Sequence, residues 1–129
     1  MRILSIDHGL KRIGLALSDE LEISAVTLPI IKVTNSDFAI KQIIDTIINY
    51  DCKKIIIGVP TGFGGKESGQ TLIVRDFIQK LKTKTTIPII EWDETYSSKF
   101  ASRNIKGKKK KNLDSESAKV ILLEYLSSN

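Results

Sequence analysis

The sequence has few of the residues on which disulfide-bonded, zinc-binding or membrane-spanning proteins depend. Its one cysteine, Cys52, excludes an internal disulfide and any zinc site made of several cysteines. Its three prolines form no proline-rich tract, and no apolar stretch approaches the ~18 residues of a membrane span. The N-terminus begins directly on a predicted strand and lacks the cleavage region of a signal peptide. We therefore expect a cytoplasmic protein with no membrane partner.

The composition is that of an ordinary globular protein with an excess of positive charge. Hydrophobic residues make up 41% and charged residues 27% of the chain, as in soluble domains generally. A length of 129 residues fits one domain with a normal core, so we predict a single domain over residues 1–129. A net charge of +5 and a pI near 9.3 favour an anionic partner, and nucleic acid is the foremost one.

The hydrophobic pattern predicts five strands. Three come first, at about residues 2–7, 12–18 and 22–33, and connections this short require antiparallel pairing. Residues 54–59 form a continuous apolar run, typical of a parallel strand buried on both faces. Residues 87–92 predict a fifth strand, which its proline places at an edge of the sheet.

The pattern also predicts helices between and after the later strands. Residues 36–50 carry isoleucines at helical spacing behind a cap at Asn35 or Ser36. Apolar stripes predict one helix around residues 74–81 and a closing helix around residues 118–126, and residues 95–104 predict a short helix. The order of the main elements is β-β-β-α-β-α-β-α. An α/β fold with one mixed five-stranded sheet accommodates that order, which is the order of the ribonuclease H-like fold.

Three carboxylates stand at the boundaries of separate elements. Asp7 follows the first and central strand, Glu94 follows the fifth strand, and Asp114 opens the closing helix. Hydrolysis of a phosphodiester through two metal ions needs carboxylates that converge on cations roughly 3.5–4 Å apart. Magnesium and manganese prefer such oxygen ligands. We therefore predict a site in which these carboxylates bind Mg²⁺ or Mn²⁺, with Asp7 in the bridging position.

Each carboxylate also has a purely structural interpretation. Asp7 could cap a turn, and the Asp93-Glu94 pair could lie in an ordinary exposed loop. Asp114 could be a simple helix N-cap, a role that aspartate often fills. The N-cap and metal-ligand roles are compatible, because capping orients the carboxylate.

A strongly basic segment precedes Asp114. Between Lys99 and Lys111 the chain has seven basic residues and no acidic one. They are Lys99, Arg103, Lys106, Lys108, Lys109, Lys110 and Lys111. Such runs are usually solvated loops, but this one would lie over the predicted metal site and would favour the approach of a polyanionic backbone.

Two other features carry less weight. The glycine-rich segment 60–69 lacks the Lys-Ser/Thr ending of a nucleotide-binding P-loop, so a flexible loop on the substrate side is the better interpretation. His8, the only histidine, is predicted to be a turn residue rather than a base.

Four motifs in order resemble those of the YqgF/RuvX family, relatives of the Holliday-junction resolvase RuvC within the ribonuclease H-like superfamily. Residues 7–14, D-H-G-L-K-R-I-G, match the family's D-x-G-x-x-R-I-G. Residues 58–60 match its G-x-P loop, and Asp93-Glu94 match the start of its D-E-R-x-[ST] signature. Residues 110–115, followed by Ala118, match its basic loop and terminal-helix aspartate. The resemblance spans nearly the whole chain.

The resemblance implies a hydrolase whose catalytic metal ligands are Asp7, Glu94 and Asp114. It also implies that Arg12, in the opening motif, contacts nucleic acid as the basic segment does. It also implies a role in maturing the 5′ end of pre-16S ribosomal RNA. One departure is Thr95, which stands where the family commonly has arginine. Any phosphate contact of that arginine is missing or is supplied by Lys99 or Arg103.

Other functions remain as alternatives. A structure-selective resolvase of branched DNA would require a dimer with two sites, whereas a nuclease of precursor rRNA could act as a monomer or weak homodimer. A nucleic-acid-binding module with an inactive site is a further alternative, which only an activity assay decides. An actin-like ATPase or sugar kinase shares the D-x-G motif, but that fold needs two such domains and a much longer chain.

Overall fold

A computed structural model of the chain describes residues 1–9, 11–59, 69–93 and 113–128, and for residues 70, 93 and 113–115 it describes the backbone alone. The elements within these ranges follow the predicted order. They are β1 (Arg2–His8), β2 (Arg12–Ser18), β3 (Ala25–Lys32), α1 (Ser36–Tyr50), β4 (Cys52–Val59), α2 (Gly69–Lys82), β5 (Ile89–Asp93) and α3 (Leu113–Ser127).

The five strands form one mixed sheet in the order β3-β2-β1-β4-β5. The first three strands pair antiparallel because their connections are short. β4, which follows α1, pairs in parallel with β1, and β5, which follows α2, pairs in parallel with β4. This topology confirms the predicted α/β fold, with β1 in the centre and β5 at an edge.

Helices cover both faces of the sheet, and the alternation of side chains along β1 shows which face is which. Leu4 and Ile6 pack in the larger core cluster with residues of α1 and α2. Ile3 packs in the second cluster with Ile121 and Leu122 of α3. We call these the α1/α2 face and the α3 face.

The ends of α1 show why the helix occupies the predicted residues. The Asn35 side chain accepts a hydrogen bond of 2.8 Å from the backbone N–H of Phe38, so Asn35 rather than Ser36 is the cap. At the other end Asp51 adopts the left-handed conformation (φ 54°), and its N–H donates to the carbonyls of Ile47 and Ile48.

Some boundaries differ from the prediction. β3 begins at Ala25 rather than at residue 22, because the Asp19 carboxylate accepts hydrogen bonds from the N–H groups of Ile23 and Ser24 and closes a turn there. β4 begins two residues early, where Cys52 pairs with Arg2. β5 begins at Ile89 rather than at residue 87. These differences change where the strands begin and leave the order of the elements unchanged.

The helices that border the candidate site also begin at different residues. α2 includes Gly69, which the sequence assigns to the glycine-rich loop. α3 begins at Leu113, so Asp114 lies within the first turn instead of at the N-cap. The short helix predicted at residues 95–104 lies outside the described residues. No helix within the described ranges is long and apolar enough to cross a lipid bilayer.

Candidate active site at the carboxyl end of the central strand

Asp7 lies one residue from the carboxyl end of β1 and is only 8% exposed. Its two neighbours across the sheet are Gly14 of β2 and Gly58 of β4. A carboxylate buried this deeply is costly unless cations or donors satisfy it. Because glycine has no side chain, no side chain of these two partners flanks the carboxylate. Asp7 is therefore a buried acid in a row of the sheet that leaves room for other groups.

Asp7 belongs to the α3 face of the sheet. Ser5, two residues earlier and so on the same face, is fully buried. Its hydroxyl donates a hydrogen bond of 2.8 Å to the backbone carbonyl of Ala118 in α3. This contact joins the central strand directly to the helix that carries Asp114.

A second contact defines the direction of α3. The ammonium of Lys54 lies 2.8 Å from the hydroxyl of Tyr125, and Lys54 pairs with Ile3 near the start of β1. The helix therefore runs antiparallel to β1, with Tyr125 near the start of the strand and Ala118 next to Ser5. The first turn of α3 lies toward the carboxyl end of the strand.

The distance from Ala118 back to Asp114 along α3 matches the distance from Ser5 to Asp7 along β1. Asp114 precedes Ala118 by about one helical turn, about 6 Å of rise. Asp7 follows Ser5 by two strand residues, about 6.8 Å. The backbone of residue 114 is consequently at the same end of the sheet, and on the same face, as Asp7.

β5 also ends close to this level. In the row of the sheet that contains Asp7, Gly58 pairs with Trp92 of β5. Trp92 belongs to the α3 face, where its ring meets Tyr125 edge-on at 5.6 Å. β5 ends at Asp93, and Glu94 is the next residue in the sequence but lies outside the described residues.

The structure thus brings the ends of three elements together but describes one of the three predicted metal ligands. Among the described side chains, no group of three or more His, Cys, Asp or Glu residues could hold a metal ion. Glu94 and the side chain of Asp114 lie outside the described part of the chain. The buried Asp7 carboxylate is the hard oxygen donor that Mg²⁺ or Mn²⁺ prefers, so the described part fits such an ion.

Arg12 is an exposed residue at the start of β2. It lies two residues from Gly14, the β2 partner of Asp7, and therefore on the α3 face. Across the sheet it pairs with Lys32 of β3, which is also exposed. The other predicted nucleic-acid contacts lie outside the described residues: Lys99, Arg103, Lys106, Lys108, Lys109, Lys110 and Lys111.

His8 does not belong to this site, and its predicted place in a turn is wrong. It is the last residue of β1 and is buried on the α1/α2 face, where its ring lies 4.5 Å from that of Phe77. Burial lowers the pKa of the imidazole, which favours the neutral form near pH 7. The ring therefore packs on the opposite side of the sheet from Asp7.

Two residues near the site were not singled out by the sequence patterns. Ser5 is a small polar residue between apolar neighbours of a buried strand, which is a weak signal for a contact with a helix. Lys32 has no signal in the sequence, because only the register of β2 and β3 brings it opposite Arg12.

Comparison with solved structures identifies the fold. RuvC of T. thermophilus, solved in complex with a Holliday junction substrate, superimposes with a TM-score of 0.66 over 99% of this chain and 95% of that one, at 10% identity. The fowlpox virus Holliday junction resolvase gives a TM-score of 0.58 over the full length of both chains, at 18% identity. At these identities the likeness is one of fold, and it is the ribonuclease H-like fold.

Comparison of sequences identifies the family. The family model RuvX, described as Holliday junction resolvase, matches residues 1–128, and the chain belongs to this family. A protein of Maridesulfovibrio salexigens named "Putative pre-16S rRNA nuclease" is 37% identical over 98% of both chains. Relatives of the same name from Sulfurihydrogenibium sp. and Bacillus subtilis are 40% and 31% identical, over 97% and 99% of this chain and 89% and 99% of theirs.

Proposed function

We propose that this chain is a metal-dependent nuclease that cleaves phosphodiester bonds in the precursor of 16S ribosomal RNA and so helps to mature its 5′ end. The relatives that carry this name are similar along nearly their whole length. The observation that carries the proposal is the place of Asp7. A buried carboxylate stands between two glycines at the carboxyl end of the central strand, and the first turn of α3 lies at the same end.

In this proposal Asp7, Glu94 and Asp114 would hold the metal ions. Bound Mg²⁺ or Mn²⁺ would supply an activated water and stabilise the charge that develops on the phosphate. The chain itself does the positioning. The glycines next to Asp7 leave room for the phosphate, and cationic residues hold the nucleic-acid backbone.

Cleavage of branched DNA is the second candidate function. The description of the family model, Holliday junction resolvase, favours it. A symmetric junction requires two sites related by a two-fold axis, so this function needs a homodimer. Cleavage of an rRNA end has no such requirement, and a monomer or weak homodimer suffices for it.

The test is cleavage of matched substrates by the full chain. We would compare a precursor 16S rRNA 5′ end with its mature form, and a four-way DNA junction with a linear duplex of the same sequence. Each is incubated with Mg²⁺, with Mn²⁺ and with a chelator, using Asp7→Asn as the inactive control. We expect metal-dependent cleavage of the precursor RNA. Paired cuts in the junction alone would favour the resolvase, and binding without cleavage of any substrate would reject a nuclease.

A further inference from the structure

Two exposed cations stand directly opposite each other in the sheet. Arg12 of β2 pairs with Lys32 of β3 in the antiparallel register. Side chains paired in this way have Cβ atoms about 4.5–5.5 Å apart, and like charges at that distance destabilise the sheet. The ladder continues past the pair, since the N–H of Val33 donates to the carbonyl of Lys11 at 2.9 Å. The backbone therefore keeps the two cations together.

No ion pair within the described residues involves Lys32. The charge of Lys32 is therefore not offset by a described acidic side chain. An anion that reaches both side chains would accept charge-assisted hydrogen bonds from two cations at once. The strand register therefore places two cationic donors where one anion could contact both.

The pair lies next to Asp7. Ile13, Leu15 and Leu17 of β2 pack on the α1/α2 face, so Arg12 shares the α3 face with Gly14 and Ala16. Lys32 points to the same face, because residues paired across a ladder do so. From Asp7 the pair is one to two strands across and about two residues along, on the order of 10 Å.

We propose that Arg12 and Lys32 together bind a backbone phosphate of the substrate on the β3 side of Asp7. The substrate strand then crosses the sheet from Asp7 over β2 toward the edge strand β3. Since a phosphate is common to RNA and DNA, this contact positions the strand without reading its bases. The inference rests on the proposed function and adds Lys32 to the substrate-binding surface.

Charge reversal at Lys32 tests the inference because it has opposite effects on stability and on binding. In Lys32→Glu the repulsion from Arg12 becomes an attraction, so the melting temperature should rise. The affinity for nucleic acid should fall several-fold, because a phosphate contact is replaced by a repulsive charge. Lys32→Gln should weaken binding less and reduce the log–log salt slope by about 0.7–0.9, the amount expected for one lost contact.

The matched control is Lys82→Glu. It makes the same change of net charge at the C-terminal end of α2, which leads toward the start of β5 and away from Asp7. Affinity is measured in a chelator, so that nothing is cleaved, by fluorescence anisotropy on a labelled precursor-rRNA fragment and on a four-way junction. Melting temperatures are measured in the same buffer.

A larger loss of affinity in Lys32→Glu than in Lys82→Glu, without a loss of stability, supports the inference. Equal losses in both variants, with no change of salt slope in Lys32→Gln, overturn it while the proposed function stands. If the unmodified chain binds neither nucleic acid, the proposed function fails and this inference fails with it. Lys32→Gln keeps the test decisive if the reversal variant folds poorly.

Discussion

At the scale of the residue, Asp7 is the side chain on which the proposed chemistry depends most. Its carboxylate is 8% exposed and lies at the carboxyl end of the central strand. Burial makes a charge expensive unless cations or hydrogen-bond donors satisfy it. A metal ion bound in the working enzyme would be such a cation.

The variant Asp7→Asn keeps the shape and removes the charge. We expect cleavage to fall by at least about a hundredfold, as it does when one electrostatic partner of a transition state is removed. The melting temperature in a chelator should change little, because asparagine keeps the shape of the side chain and so leaves the fold intact. Cleavage rates and thermal melting of both proteins check this. Turnover at the wild-type rate would contradict the two-metal proposal.

Cys52 shows a residue whose role is packing. It is buried at the start of β4, as the sequence favours, and burial raises the pKa of its thiol to about 11 from its ordinary value of 9.0. At a pH between these two pKa values, the unfolded chain releases the thiol proton and the folded chain keeps it. The free energy of unfolding should therefore fall as the pH rises through this window.

The measurement is the melting temperature between pH 8 and about pH 11, compared with Cys52→Ala. Lysines titrate in the same range, and the variant keeps them all, so the difference between the two curves reports the thiol. We expect a steeper decline in the wild type. Parallel curves would mean that the thiol ionises as readily in the folded protein as in the unfolded one.

At the scale of the element, the placement of α3 decides whether Asp114 can reach the site. The hydrogen bond from Ser5 to the carbonyl of Ala118 fixes the position of the helix along β1. The contact between Lys54 and Tyr125 holds the other end. Ser5 is in this sense a positioning residue, one helical turn away from Asp114.

We expect Ser5→Ala to lower the free energy of unfolding by about 1 kcal/mol, the usual contribution of a buried hydrogen bond. It should also weaken the apparent affinity for Mn²⁺, because the helix is less firmly placed. Ser18→Ala is the matched control. The Ser18 hydroxyl accepts a buried hydrogen bond from the N–H of Ile3, at the opposite end of β1.

Titration with Mn²⁺, followed by calorimetry or by cleavage rate, separates the two variants. Ser18→Ala should lose stability and keep its metal affinity, whereas Ser5→Ala should lose both. If the two variants lose metal affinity only in proportion to their stability, then Ser5 has no positioning role.

At the scale of the whole molecule, the net charge of +5 is distributed unevenly along the chain. Seven basic residues lie between Lys99 and Lys111, outside the described residues, and immediately before α3. If about four of them contact phosphates, they contribute roughly −3 to the log–log salt slope of binding to a single strand.

Replacing Lys108, Lys109, Lys110 and Lys111 by alanine should flatten that slope by about the same amount. Affinity should fall by a similar factor for all sequences, because phosphate contacts do not read bases. The measurement is affinity against salt concentration on one fixed oligonucleotide. Parallel lines for the wild type and the quadruple variant would show that the lysines are only a solvated run.

Most of the fold was predictable from local patterns. Isoleucines at helical spacing predicted α1 to the residue, and the short connections between the first three strands required antiparallel pairing. The edges of β3 and β5 were wrong by two or three residues. The side chain of Asp19 closes a turn and so sets the start of β3. The apolar residues on both sides of that turn give no sign of this contact in the sequence.

The order of the elements, the excess of positive charge and the identity of the candidate carboxylates can all be read from the chain alone. All of these follow from residue types and short-range spacing. Three further relations appear only in the folded chain: Asp7 stands between two glycines, α3 runs antiparallel to β1, and Arg12 faces Lys32. These are relations between residues far apart in the chain. They depend on strand register and helix direction, which are set by the packing of the two cores and not by any one segment.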